Sequence, residues 1–130
     1  MFLFLFVAHL FALDPTLEPD FSNSFHFLKT GIRGGIAGED RNIVPAWNKN
    51  FTGKGIHITL LDAGCQYNHS DLIDNFVLEK SWNALTNETD PFFKCKEPTH
   101  GTATAGLAVG AANGVASIGS APGANFHLLL

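Results

Sequence analysis

The sequence predicts an α/β domain built on a mostly parallel sheet, and three segments carry that expectation. Residues 56–61 (Ile-His-Ile-Thr-Leu-Leu) and 125–130 (Asn-Phe-His-Leu-Leu-Leu) are short apolar runs of the kind that form central parallel strands. Between them, residues 100–112 are dominated by Gly and Ala, which suits a helix whose backbone packs closely on a neighbouring layer. An apolar fraction of 45% with 15% charged residues is that of a globular core, and 130 residues leave room for one domain.

Taken in order, residues 1–13 are apolar apart from His9, a length that suits the hydrophobic region of a signal peptide better than a bilayer span of about 20 residues. No Lys or Arg precedes the run, so a start inside a longer reading frame is an equal alternative. Residues 14–130 then form the domain. Residues 14–38 carry Pro15, Pro19, Gly31, Gly34, Gly35 and Gly38, which predicts an extended arm anchored by Phe21, Phe25, Phe27 and Leu28. Asn42 is the expected cap of a short helix through Ile43, Ala46 and Trp47, followed by a turn at residues 52–55.

The strand over 56–61 is expected to be covered on both faces, with Asp62 at its carboxyl end, where open α/β sheets place their ligand crevice. Residues 76–84 form the expected second strand, and 85–99 a loop with Asp90-Pro91 and Pro98. The helix begins at His100 behind a Thr99 cap and is broken by Asn113-Gly114. The order strand, strand, helix, strand has no closing layer, so the sheet is expected to be truncated, with apolar surface uncovered.

A formal charge of −4 without a Lys/Arg cluster argues against nucleic acid or an anionic membrane surface as partner; membrane association is otherwise left open. Cys65 and Cys95 are the only cysteines, expected as two free thiols, with a disulfide as the alternative in an oxidising compartment. No C-x-x-C or H-E-x-x-H zinc pattern occurs. The sequons Asn50-Phe51-Thr52, Asn68-His69-Ser70 and Asn87-Glu88-Thr89 favour a secretory route. Trp47, Trp82, His26, His57, His69 and His127 are read as packing or structural residues.

Asp62 and His100 are the candidate catalytic pair. A carboxylate that orients an imidazole, with that imidazole as general base, is two thirds of a serine-hydrolase triad. The missing group is a serine.

These residues and their flanks resemble the amino-terminal part of the catalytic domain of subtilisin-like serine proteases, in the kexin/furin (proprotein convertase) branch. Residues 58–64 (Ile-Thr-Leu-Leu-Asp-Ala-Gly) resemble the aspartate motif, and His100-Gly101-Thr102 with Ala105-Gly106 the histidine motif. Residues 25–31 (Phe-His-Phe-Leu-Lys-Thr-Gly) and 40–47 (Asp-Arg-Asn-Ile-Val-Pro-Ala-Trp) resemble further segments, as do residues 52–55 and 68–72. The resemblance implies a three-layer α/β/α sandwich around a mostly parallel sheet, serine endopeptidase activity on peptide or protein substrates, and a secreted or cell-surface location. It also implies structural calcium, with Asp71, Asn113 and Glu18 matching one site and Asn83, Glu88 and Asp90 parts of a second.

The chain departs from the pattern in several places. Ser22, Ser24, Ser70, Ser81, Ser117 and Ser120 lack the context of the family's nucleophile, and its oxyanion asparagine and substrate strand have no counterpart. The 130 residues are therefore expected to be a fragment that is inactive alone. The alternatives are a truncated pseudoprotease that binds a peptide or a related protease, and an unrelated small-ligand module. Ala63 stands where the kexin/furin branch usually carries Asp, so cleavage after paired basic residues is not implied. Thr104 replaces an apolar residue or cysteine.

Overall fold

The structure, a computed structural model, describes residues 13–29, 31, 35–91 and 99–130. The expected signal segment up to residue 12 and Cys95 lie outside the described residues.

Strands β1 (His57–Leu61) and β2 (Asn125–Leu129) pair in parallel, with His57 opposite Asn125 and Leu61 opposite Leu129. Parallel neighbours need a long crossover, and helix α2 (Thr99–Val109) lies within it. Ile58 and Leu60 of β1 and Phe126 and Leu128 of β2 form one core with Ala105 and Val109 of α2. Phe126, Leu128, Ala105 and Val109 have no exposed surface. The small residues of α2 thus serve as predicted, by letting the helix lie close to the sheet.

Coverage of β1 differs from expectation. His57, Thr59 and Leu61 alternate with the packed residues and are exposed, Leu61 to 81%. Only the face toward α2 is covered among the described residues.

The second predicted strand is also modified. Pairing of residues 76–84 with β2 is reduced to parallel bridges, Phe76 to Phe126 and Trp82 to Leu129, separated by a 3-10 turn at Leu78–Lys80. The segment still runs beside β2, because Val77, Trp82 and Ala84 donate to the carbonyls of Phe126, Leu128 and Leu130 at 2.8–2.9 Å. Between those points the Ser81 hydroxyl accepts the Leu128 N–H at 3.1 Å and donates to the Val77 carbonyl. A side chain thus takes a bond that a continuous ladder would have supplied. β2 is therefore central, with β1 on one side and residues 76–84 on the other.

The arm forms a second core. It folds through 3-10 turns at Pro15–Leu17 and Phe21–Asn23, the first capped by Asp14, which accepts the Thr16 N–H at 3.0 Å. Phe21 and Phe27 bury against Trp47 and Ile118, and the Phe27 and Trp47 rings meet edge to face at 5.3 Å. Trp47 also donates its Nε1–H to the Ser120 carbonyl at 3.1 Å. Phe25 and Leu28, expected as anchors, are about two-fifths exposed. The Ser24 carbonyl accepts both the Phe27 and Leu28 N–H groups, which curls the chain and turns these two side chains outward.

Three smaller expectations are corrected. Helix α1 (Val44–Trp47) has Ile43, not Asn42, at its cap, because Asp40 Oδ1 accepts the Asn42 N–H at 2.7 Å and Asn42 takes the left-handed conformation (φ 52°). Thr99 lies inside α2 instead of ahead of it. That helix ends at Val109, before Asn113-Gly114, where the Gly110 N–H still bonds to Gly106 but the Ala111 N–H turns to the Asp71 carbonyl at 2.7 Å.

Candidate active site

Asp62 follows the last residue of β1 and extends its ladder by one bond, donating its N–H to the Leu129 carbonyl at 3.1 Å. The backbone at the sheet's carboxyl edge is therefore held by β2 before any side chain acts. The Asp62 side chain is 11% exposed. Its Oδ1 accepts the Ala63 N–H at 2.7 Å, and its Oδ2 lies 2.8 Å from His100 Nδ1.

His100 is the second residue of α2, and its side chain is 86% exposed. With Nδ1–H directed at Asp62, the neutral ring carries its lone pair on Nε2, so the solvent-accessible nitrogen is the basic one. A carboxylate fixing the tautomer of an imidazole whose other nitrogen is open is the orientation that general-base catalysis needs.

The Asp62 carboxyl is held below its ordinary pKa. Burial alone raises it, but the Ala63 N–H, the hydrogen bond and charge of His100, and the Thr104 hydroxyl outweigh that effect. Asp62 is thus kept as the anion that balances an imidazolium.

Close backbone approach makes the pair possible. A β-carbon on Gly101 would overlap the Gly64 carbonyl and fall 3.2 Å from the Asp62 carboxyl carbon. Thr102 adds a second tie, its Oγ1 accepting the Gln66 N–H at 2.9 Å. Between these ties Cys65 is a fully buried free thiol whose pKa is pushed up to about 11, chiefly by burial.

Thr104 was assigned no chemistry in the sequence, yet it joins this group. It lies one helical turn after His100 and donates its hydroxyl to the His100 carbonyl at 3.0 Å; turned to Asp62 instead, the same single proton lowers the carboxyl pKa. The i to i+4 spacing from the histidine was the available signal.

Three of the serine hydroxyls are engaged elsewhere, Ser24 with the Asp20 carbonyl, Ser81 with Val77 and Ser120 with Leu107. Among the described residues, no serine hydroxyl is hydrogen-bonded to His100.

The residues matched to calcium sites fall into different situations. Glu18 is buried and accepts the Gly114 N–H on both carboxylate oxygens, at 2.9 and 3.1 Å. Gly114 has φ +73°, a conformation that favours glycine. Asp71 is 7% exposed; its Oδ2 accepts the Ser117 N–H at 3.3 Å, while its Oδ1 is buried without a protein partner. Asn113 reaches the Ser70 carbonyl through Nδ2 and the Val115 N–H through Oδ1. All three thus gather around residues 111–117.

In the second set, Asn83 and Glu88 face each other across an antiparallel bridge, and Asn83 Oδ1 accepts the N–H groups of Leu85 and Thr86. Asp90 Oδ1 instead accepts the Tyr67 hydroxyl at 3.1 Å. Among the described residues, no group of three or more His, Cys, Asp or Glu side chains gathers around one point. Nor is any described helix long and apolar enough to cross a membrane.

Comparison with known proteins identifies the family. The subtilase family profile matches residues 53–129, a span that includes Asp62 and His100. A PC3-like endoprotease variant B of Hydra vulgaris is 40% identical over 98 residues, covering 74% of this chain and 14% of that protein. Neuroendocrine convertase 2 of Bos taurus is 33% identical over 110 residues, covering 82% of this chain and 17% of the relative. The chain therefore spans about a seventh of the length of such relatives. Among solved structures, a serine protease of Aeromonas sobria superposes with a TM-score of 0.78 at 29% identity, covering 91% of this chain and 20% of that one.

Proposed function

The chain belongs to the subtilase family, and we propose that its 130 residues supply the aspartate and histidine of a serine endopeptidase whose nucleophile and oxyanion donor lie outside them. The observation that carries this reading is the 2.8 Å contact between His100 Nδ1 and Asp62 Oδ2, with the opposite ring nitrogen open. In the catalytically complete protein His100 Nε2 takes the proton of the serine hydroxyl as it attacks the peptide carbonyl, then returns it to the leaving amine. Asp62 holds the tautomer and offsets the imidazolium charge. Among the described residues no serine hydroxyl is hydrogen-bonded to His100, and on this reading the 130 residues need the missing nucleophile before they can hydrolyse peptides.

We place the amino-terminal boundary of the catalytic domain near residue 14, ahead of the matched span. The arm packs on that span through Glu18 and Gly114 and Asp20 and Ala116, and helix α1 through Trp47 and Ser120. The substrate is a peptide or protein, in keeping with a relative named an endoprotease, and is met in the secretory pathway, in keeping with the sequons of the chain. Ala63 is exposed and offers only a backbone N–H already used by Asp62, so this position gives no charge to a basic substrate side chain.

Calcium suits the first acidic set. The buried, unpartnered Asp71 Oδ1 is a hard anionic oxygen that lacks compensation in the protein itself. Asp71, with Glu18 and Asn113, would hold the ion and so tie the arm and residues 111–117 behind α2. The second set fits less well, because among the described residues it holds no buried carboxylate oxygen without a protein partner, as Asp71 Oδ1 is in the first.

The test is expression of a longer reading frame that includes a downstream serine. Turnover of a peptide substrate and labelling by a fluorophosphonate, both abolished by His100→Ala, support the proposal. A complete protein that reacts equally well without His100 overturns it.

A further inference from the structure

We propose that Asn87 is an N-linked glycan acceptor. Asn87-Glu88-Thr89 is one of three sequons in the chain, and it alone has all three residues exposed. In the other two one residue is half-buried and tied into the fold. Thr52 of the first accepts the Gly123 N–H at 2.8 Å through its carbonyl, and its Oγ1 lies only 2.6 Å from where a Gly123 β-carbon would stand. In the second, the half-buried His69 accepts the Asp71 N–H on Nδ1, and the Ser70 carbonyl accepts from Asn113.

The bonds around Asn87, by contrast, stay inside one turn. Asn83 Oδ1 accepts the N–H groups of Leu85 and Thr86, the Asn83 carbonyl accepts that of Asn87 at 2.8 Å, and the Asn83–Glu88 bridge closes the loop. Asn87 sits at the corner with φ 61°, a left-handed conformation that asparagine tolerates better than most side chains. The turn therefore projects the acceptor amide and the hydroxyl two residues on, without needing residues from the rest of the domain. Leu85 and Trp82, 79% and 41% exposed, flank the turn and give a glycan an apolar surface to cover.

In the modification, the Asn87 side-chain nitrogen forms a bond to C1 of the first sugar of a lipid-diphosphate-linked oligosaccharide. The bond from C1 to the phosphate oxygen breaks, the lipid diphosphate leaves, and the displaced amide proton passes to a base of the transferase. The proposal rests on the secretory reading above, so the experiment separates the two. The chain is translated with microsomes, with and without a cleavable leader from an unrelated secreted protein fused ahead of residue 1, and protease protection reports passage into the lumen.

For the leader-fused chain the expected result is a mobility shift reversed by peptide N-glycosidase, with Asn87 converted to Asp in peptide mass mapping. Asn87→Gln and Thr89→Ala lose that modification, the second while leaving the turn's asparagine in place, whereas Asn50→Gln and Asn68→Gln retain it. A protected chain with unmodified Asn87 overturns the proposal, even if another sequon is occupied. Exclusion of the unfused chain from microsomes rejects residues 1–13 as a signal segment and bears on the secretory reading alone, since the leader-fused chain decides Asn87. Because mapping reads the acceptor peptide directly, a variant that folds poorly still gives an answer.

Discussion

Gly101 and Gly64 are in backbone contact, so that any β-carbon on Gly101 would overlap the Gly64 carbonyl oxygen. This contact sets the distance between the amino end of α2 and the loop after β1, and therefore whether His100 reaches Asp62. The geometry of the Asp62–His100 pair depends on a residue with no side chain.

Gly101→Ala should destabilise the domain by about 1–3 kcal/mol, the usual cost of overpacking. Urea denaturation measures this. In the complete enzyme kcat should fall as well, since the helix must retreat from Asp62. Unchanged stability and unchanged turnover would contradict the packing described here.

Asp62→Asn should lower kcat about 10⁴-fold in the complete enzyme while KM changes little, because the amide favours the wrong imidazole tautomer. It should also alter the acid limb of stability. The folded-state pKa of Asp62 is depressed, so its contribution is fully present above the ordinary carboxylate value of about 4 and is lost as pH falls through the lower folded value. Denaturation midpoints measured from neutral to acid pH should fall less steeply in the variant.

Thr104→Val keeps the branched shape and removes the hydroxyl that helps hold Asp62 ionised. The Asp62 carboxyl should then titrate at higher pH, read from its side-chain carbon resonance. The valine fold should be intact, because position 104 is only half-buried. An unmoved titration would remove Thr104 from the site.

Trp47→Ala should cost about 3–5 kcal/mol, the range for removing a large buried aromatic. Trp47→Phe should cost less, leaving mainly the Ser120 carbonyl without its 3.1 Å donor, a loss of about 1–3 kcal/mol. Thermal or chemical melts of the two variants give the comparison. Equal losses would mean that the indole hydrogen bond carries most of the effect.

Calcium should raise the melting temperature of the wild-type chain, and chelation should reverse the rise. Asp71→Asn should abolish most of that dependence, since Asp71 Oδ1 is the buried oxygen left without a protein partner. Glu88→Gln should leave it unchanged, because Glu88 belongs to the loop that Asn83 already closes. A calcium response that survives Asp71→Asn would reassign the ion.

Much of this protein is determined locally and can be read from the chain itself. The apolar run before Asp62 specifies a strand with a carboxylate at its carboxyl end, and the small residues after His100 specify a helix able to lie close to that strand. Residue order and flanking segments carry the family. Tertiary structure alone decides what depends on segments far apart in sequence. Leu128 donates its N–H to the Ser81 side chain, so residues 76–84 become bridges around a turn instead of an unbroken strand. Curling at Ser24 buries Phe27 and exposes Phe25, although the two look alike as apolar anchors. Thr104 gains its role only because α2 meets β1 at Gly101 and Gly64. Propensity and periodicity act over a few residues, whereas each of these outcomes is settled by which distant donor, acceptor or backbone arrives at the same place.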